Sequence, residues 1–66
     1  MTIFQIECFL AVAEHLNFAR AATQLNVSQP AITRQIHTLE AELGTQLFIR
    51  STRMVRLTEN GRIFQS

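Results

Sequence analysis

Between Leu25 and Pro30 the chain, Leu-Asn-Val-Ser-Gln-Pro, must end one helix and begin another, and this corner restricts the fold more than any other stretch. Asn26 is one of the few non-glycine residue types that tolerate a left-handed backbone, as a tight reversal needs. Ser28 is a strong N-cap. Pro30, at the second helical position, loses only an N–H that has no intrahelical acceptor, and its fixed φ suits a helix start. Val27 before the cap and Ile32 in the first turns form a hydrophobic staple that sets the entry angle.

The helix that follows has two unlike faces. At about 100° per residue, Ile32, Ile36, Leu39 and Leu43 fall in one narrow stripe. Pro30, Arg34 and His37 point to the opposite side, flanked by Gln29 and Thr33, so one face is core and the other is displayed. Glu40 and Glu42 come in the last turns, where they slightly oppose the helix dipole, while the first two turns carry no acid. An anion at the N-terminal end of this helix meets no repulsion. Gly44 ends it.

Upstream, the spacing predicts a helix over 3–15 with Ile6, Phe9, Leu10 and Ala13 as its buried stripe, Phe4 and Cys8 bordering it, and Gln5, Glu7 and Glu14 off it. Asn17 is placed to cap a second, two-turn helix whose Phe18, Ala21, Ala22 and Leu25 share a face, the alanines permitting close helix approach. Beyond Gly44 the period changes. Leu47 and Ile49 alternate with Phe48 and Arg50, and Val55 and Leu57 flank Arg56, which predicts a short hairpin. Its tip, Arg-Ser-Thr-Arg-Met, lacks an Asn-Gly pair and implies a loop of about four residues. Thr58 and Glu59 then start a capped helix that reaches the end of the chain with Ile63 and Phe64 exposed, as though the sequence were cut there. There are no repeats or low-complexity runs, and no linker within the first 58 residues.

A chain of 66 residues is one small domain, burying only about 60% of the surface its unfolded form exposes, and it leaves no room for an enzyme cleft. The net charge is +1, but all six basic residues are arginine, and Arg50, Arg53 and Arg56 lie in an acid-free run from Leu43 to Thr58. Arginine presents a planar fork of donors suited to phosphate and guanine edges, so the bias points toward nucleic acid, with a merely solvated surface as the plainer reading. Cys8 is the only cysteine, so there is no internal disulfide and no CxxC motif; a cytoplasmic setting follows, with Cys8 a small hydrophobe. The longest apolar run, Cys-Phe-Leu-Ala-Val-Ala, is far short of the roughly 20 residues a membrane span needs, and the N-terminus lacks a signal peptide's basic region. The expectation is a soluble protein with no membrane partner. His15 suits the dipole at its helix end, with no second metal ligand at helical spacing.

A short helix, a tight turn and a second helix with a polar, acid-free N-terminal face is the arrangement that lets a helix enter the DNA major groove, and the arginine hairpin supplies a wing. The run AA..L.VSQPA.TRQI..LE.ELG..LF.R, followed by Val-Arg-Leu-Thr-Glu-Asn-Gly, resembles the N-terminal winged helix-turn-helix domain of the LysR-type transcriptional regulators, over essentially residues 1 to 64. The resemblance implies a mainly α fold: a three-helix core, a two-stranded β wing, and the start of a linker helix. Residues 1–58 are then the DNA-binding domain, 18–37 the helix-turn-helix, 29–43 the recognition helix, and 59–66 the start of a dimerising helix. It further implies that Gln29, Pro30, Thr33, Arg34 and His37 face the groove of double-stranded operator DNA, and that Arg50 and Arg53 reach phosphate or minor groove. A homodimer through the helix near Thr58, commonly paired into a tetramer, is also implied. So is a C-terminal domain, absent here, that binds a small-molecule effector, the present domain needing no cofactor. Two positions depart from the family pattern. Ala19 stands where threonine is frequent, removing a hydroxyl that could meet phosphate, and Asn60 stands where alanine is common.

Three other functions are weaker on the same residues. Phe9, Phe18 and Phe48 could form a stacking platform for single strands, but each lies on an apolar face and is better explained as core. A protein-interaction module using the Gln29–His37 face lacks the large apolar anchor such faces carry. No nucleophile–base–orienter set can be drawn from Ser28, His37 and Glu40, because Ser28 is occupied as a cap, so no enzyme is expected. The stripe places Ile36 at the centre of the core, and Ile36→Ala is expected to cost roughly 2–5 kcal/mol in denaturant unfolding. A variant that unfolds with the parent would show the helix faces to be assigned wrongly.

Overall fold

The computed structural model describes all residues, Met1–Ser66, as α1 (Ile3–His15), α2 (Phe18–Leu25), α3 (Gln29–Leu43), β1 (Phe48–Arg50), β2 (Val55–Leu57) and α4 (Glu59–Gln65). Each helix begins where a side chain satisfies an otherwise orphaned backbone donor. Asn17 Oδ1 accepts from Arg20 N at 2.9 Å, Ser28 Oγ from Ala31 N at 3.3 Å, and Thr58 Oγ1 from Gly61 N at 2.9 Å. Thr2 and Gln5 form a reciprocal capping box at the start of α1. Asn26 and Gly44 take the left-handed conformation the sequence predicts, at φ 63° and 70°. Leu16 does so as well, at φ 49°, to end α1; leucine carries no signal for this, and its amide donates to Val12 O at 2.6 Å.

The three long helices pack on one another around a single core. In α2 and α3 the buried faces are those the periodicity predicts: Phe18, Ala21 and Ala22, then Ile32, Ile36 and Leu39, with Leu25 and Leu43 partly covered. In α1 the predicted stripe holds at Phe9 and Ala13 and fails at Ile6 and Leu10. Gln5, Cys8, Phe9 and Val12 face inward together with Ala11 and Ala13, while Leu10 is 47% exposed and Ile6 only half-buried. This helix is apolar on nearly every side, so its periodicity admits more than one stripe, and the neighbours α2 and α3 choose between them. Gln5 is tolerated inside because its Oε1 accepts the Thr2 amide at 3.0 Å. Cys8 is wholly buried, and burial, reinforced by the negative charge of Glu7, pushes its thiol above the ordinary cysteine range. It packs as a hydrophobe.

The two strands pair antiparallel, Phe48 opposite Leu57, Ile49 opposite Arg56 and Arg50 opposite Val55, across the four-residue loop from Ser51 to Met54. Leu47 and Phe48 are both buried, Phe48 as the core aromatic the sequence implies, and the predicted alternation is corrected at Ile49, which is 47% exposed. Phe48 is drawn inward by Phe9 and Phe18, whose ring centroids lie 5.3 and 6.0 Å away, and a one-residue choice of face reverses every side chain of a strand. Phe64 on α4 is likewise not free. Its ring stands edge-on to Phe9 at 5.0 Å, and only Ile63 of that pair is open, at 65% exposure. No helix is long and apolar enough to cross a membrane.

The wing is welded to α4 through one short backbone segment. Thr58 N donates to Leu47 O at 2.9 Å and Thr58 Oγ1 donates to Gln46 O at 2.7 Å. Gly61 lies so close that a Cβ there would stand 2.2 Å from Leu47 O and 2.9 Å from Leu57 Cδ2. Helix propensity alone would make Gly61→Ala stabilising by about 1 kcal/mol. Because a backbone carbonyl cannot swing aside, the expected outcome is instead a loss of about 1–3 kcal/mol, seen as a lowered Tm. A raised Tm would mean that α4 does not rest on Leu47.

Candidate nucleic-acid interface

Ser28 fixes where α3 begins, so the displayed face of its first three turns is set by the helix repeat. Gln29, Pro30, Arg34 and His37 are exposed there and Thr33 is half-buried. With Thr38 these residues line one shallow, open depression along α3, and no acid lines it.

The two wing arginines join this surface from the side. A cleft between α3 and β1 is lined by Ile36, His37 and Glu40 on one wall and by Gln46, Phe48, Ile49 and Arg50 on the other, with Phe18 between them. A second groove runs from Leu16–Ala19 past Gln29 to the hairpin, Arg50–Val55, and is free of acids. His37 therefore meets the wing in one cleft and Gln29 in the other, while Arg53 lies in the second only. All seven residues singled out from the sequence, Gln29, Pro30, Thr33, Arg34, His37, Arg50 and Arg53, lie on one continuous face. Ala19 carries that face on to a hollow lined by His15, Arg20, Thr23 and Gln24. Arg20 is a further cation at its border, and its only signal in the sequence is its place off the apolar face of Phe-Ala-Arg-Ala-Ala-Thr-Gln-Leu. His15 there bonds through Nε2 to Gln24 Oε1.

Electrostatically the face is one-sided. The arginines of α3 and the wing have no carboxylate partner, since the one ion pair joins the N-terminal ammonium to Glu42. Glu40, the acid that lines the cleft between α3 and β1, is engaged elsewhere: its Oε2 accepts from Leu47 N at 2.7 Å and from Phe48 N at 3.2 Å. The left-handed turn at Gly44 brings the chain back over the end of α3 and delivers those two amides to the carboxylate. In the sequence Glu40 shows only a mild quarrel with the helix dipole. The signal it held was that quarrel itself, because an acid placed against the dipole just before a glycine turn suits amides arriving from the returning chain. No cluster of three or more His, Cys, Asp or Glu side chains stands together as a metal site would require.

Comparison with known proteins places this geometry. The family model for bacterial regulatory helix-turn-helix proteins of the lysR family matches residues 3–62. The chain is 52% identical over 64 residues to a probable cat1 operon transcriptional activator of Acinetobacter lwoffii, covering 97% of this chain and 21% of that protein. It is 60% identical over 55 residues to the transcriptional regulator XapR of Escherichia coli, covering 83% and 19%. Among solved structures, the DNA complex of the CbnR DNA-binding domain superimposes with a TM-score of 0.95 at 51% identity, covering 98% of this chain and 75% of that one. The complex of the BenM DNA-binding domain with catB site 1 DNA gives 0.94 at 42% identity, covering 98% and 73%. The chain thus spans about a fifth of the length of the curated relatives it matches.

Glu40→Ala removes the acceptor shared by two amides of the buried pair Leu47 and Phe48, and is expected to cost about 1–3 kcal/mol. Hydrogen exchange should locate the loss, with the Leu47 and Phe48 amides quickening more than those of α1. Unaltered exchange at both would remove Glu40 from any role in holding the wing.

Proposed function

The chain belongs to the LysR family of bacterial helix-turn-helix regulators, and on that premise we propose that α3 enters the major groove of double-stranded DNA while the β1–β2 wing lies on the neighbouring phosphates or in the minor groove. The observation that carries this reading is the single face on which α3 and the wing present Gln29, Pro30, Thr33, Arg34, His37, Arg50 and Arg53 together, its one acid, Glu40, being bound to the Leu47 and Phe48 amides. Relatives at 51% and 42% identity have been solved as DNA complexes with nearly the same backbone, which supports it. Phosphate contacts would set the register of the domain on the duplex, and the α3 side chains would read base edges.

In this proposal residues 1–58 are the reading head and α4 begins the helix through which two copies join, Ile63 being the open apolar residue on it. Two-fold symmetry would then call for inverted half-sites in the operator. Effector binding belongs, on the same reading, to a further domain of the full regulator. The domain acts by binding, without catalysis, in the cytoplasm where the DNA is.

Arg34 projects from the second turn of α3 with a guanidinium able to pair with guanine O6 and N7. Duplexes selected from a random pool supply a cognate site. On it, Arg34→Ala should lose about 1–3 kcal/mol and relax the preference at one base pair, whereas Arg53→Ala should weaken all duplexes alike and flatten the salt dependence by about one unit of slope. Equal losses on selected and random DNA would move Arg34 to the phosphates, and failure to shift any duplex in a gel would overturn the proposal.

A further inference from the structure

Arg50 is exposed, yet it is not a free side chain. Its guanidinium carbon lies 4.0 Å from the centroid of the Phe18 ring. Phe18 is only 4% exposed, and its own ring meets Phe48 edge-on at 6.0 Å, so the aromatic platform is held from beneath by the core. Asn17 caps α2 immediately before Phe18, which fixes the backbone that carries the ring. The Phe18–Arg50 pair is also the only one common to both clefts that flank the wing base, the cleft against α3 and the groove past the α2 N-terminus.

Stacking engages the flat face of a guanidinium and leaves its N–H edge free, unlike a carboxylate, which would consume that edge. With no acid bonded to it, the donor fork of Arg50 remains available at the junction between α3 and the wing. A duplex straddled by those two elements must place there the phosphate strand that separates its major from its minor groove. We propose that Phe18 is a positioning residue for DNA binding: its ring holds the Arg50 guanidinium flat at the wing base, with its donors set for a backbone phosphate. This rests on the DNA-binding reading given above. An arginine ordered before binding loses less rotamer freedom on contact than one waving from a loop, so the stack strengthens binding without touching DNA itself.

The test has two parts. In the free protein, NMR should show the Arg50 side-chain protons moved upfield by the ring current, an effect lost in Phe18→Leu and kept in Phe18→Tyr. On a fluorescently labelled random-sequence duplex at low salt, Phe18→Leu should bind about two- to fivefold more weakly, and Phe18→Tyr close to the parent. In an Arg50→Ala background, Phe18→Leu should bring no further loss. If Phe18→Leu costs as much in that background as in the parent, Phe18 acts through the core and the proposal is overturned while the DNA-binding reading stands. If Arg50→Ala itself leaves affinity and salt dependence unchanged, the wing base is outside the contact surface and the proposal is overturned, whereas failure of the parent to bind any duplex would overturn the DNA-binding reading itself. Absence of the upfield shift in the parent overturns the stack directly.

Discussion

Phe9 is the contact on which the arrangement of this domain depends. Rising from α1, its ring meets Phe48 of β1 at 5.3 Å and Phe64 of α4 at 5.0 Å, while Phe48 in turn meets Phe18 of α2. The four elements α1, α2, β1 and α4 are thereby tied by tilted and edge-to-face ring pairs, each favourable beyond its area of burial. A two-stranded hairpin is marginal at best by itself. The wing has a definite position because Phe48 anchors one of its strands in the helical core.

A second set of ties converts that anchor into an orientation. Glu40 reaches from the end of α3 to the amides at the entry of β1, and Thr58 closes back on the carbonyls of Gln46 and Leu47. The segment Gln46–Phe48 is thus gripped from the reading helix on one side and from α4 on the other. A surface that must meet a rigid duplex at two places needs such a grip, because the span between α3 and the wing has to be set before contact. The same bonds keep the acid of the α3–β1 cleft turned toward amides, leaving the arginines of the face unpartnered.

Much of this was legible along the chain. Local chemistry specifies Asn17, Ser28 and Thr58 as caps, Asn26 and Gly44 as turn residues, and the α3 stripe with its displayed opposite face, because each depends on residues within a turn or two. The family pattern is dense from Ala21 to Arg50, so the identity of the domain was legible as well. Where the sequence misled, the ambiguity was physical. An all-round apolar helix does not say which side it buries, which is why Leu10 proved open and Gln5 closed. A three-residue strand is too short for alternation to show that Ile49 lies open while Leu47 is buried, and nothing near Phe64 in the sequence shows that Phe9 lies beside it.

What the sequence by itself determined is therefore the set of elements, their ends, and the polar face that α3 offers, all consequences of backbone bonding and helical repeat. What only the tertiary structure decided is the choice of buried side in α1 and β1, the engagement of Glu40 by the returning chain, and the seat of Arg50 on Phe18. Each of these is a contact between residues separated by more than a helical turn, and such contacts are chosen by which surfaces close together with least unfilled space and fewest unbonded donors. That choice belongs to the packed molecule and has no local signature in the order of its residues.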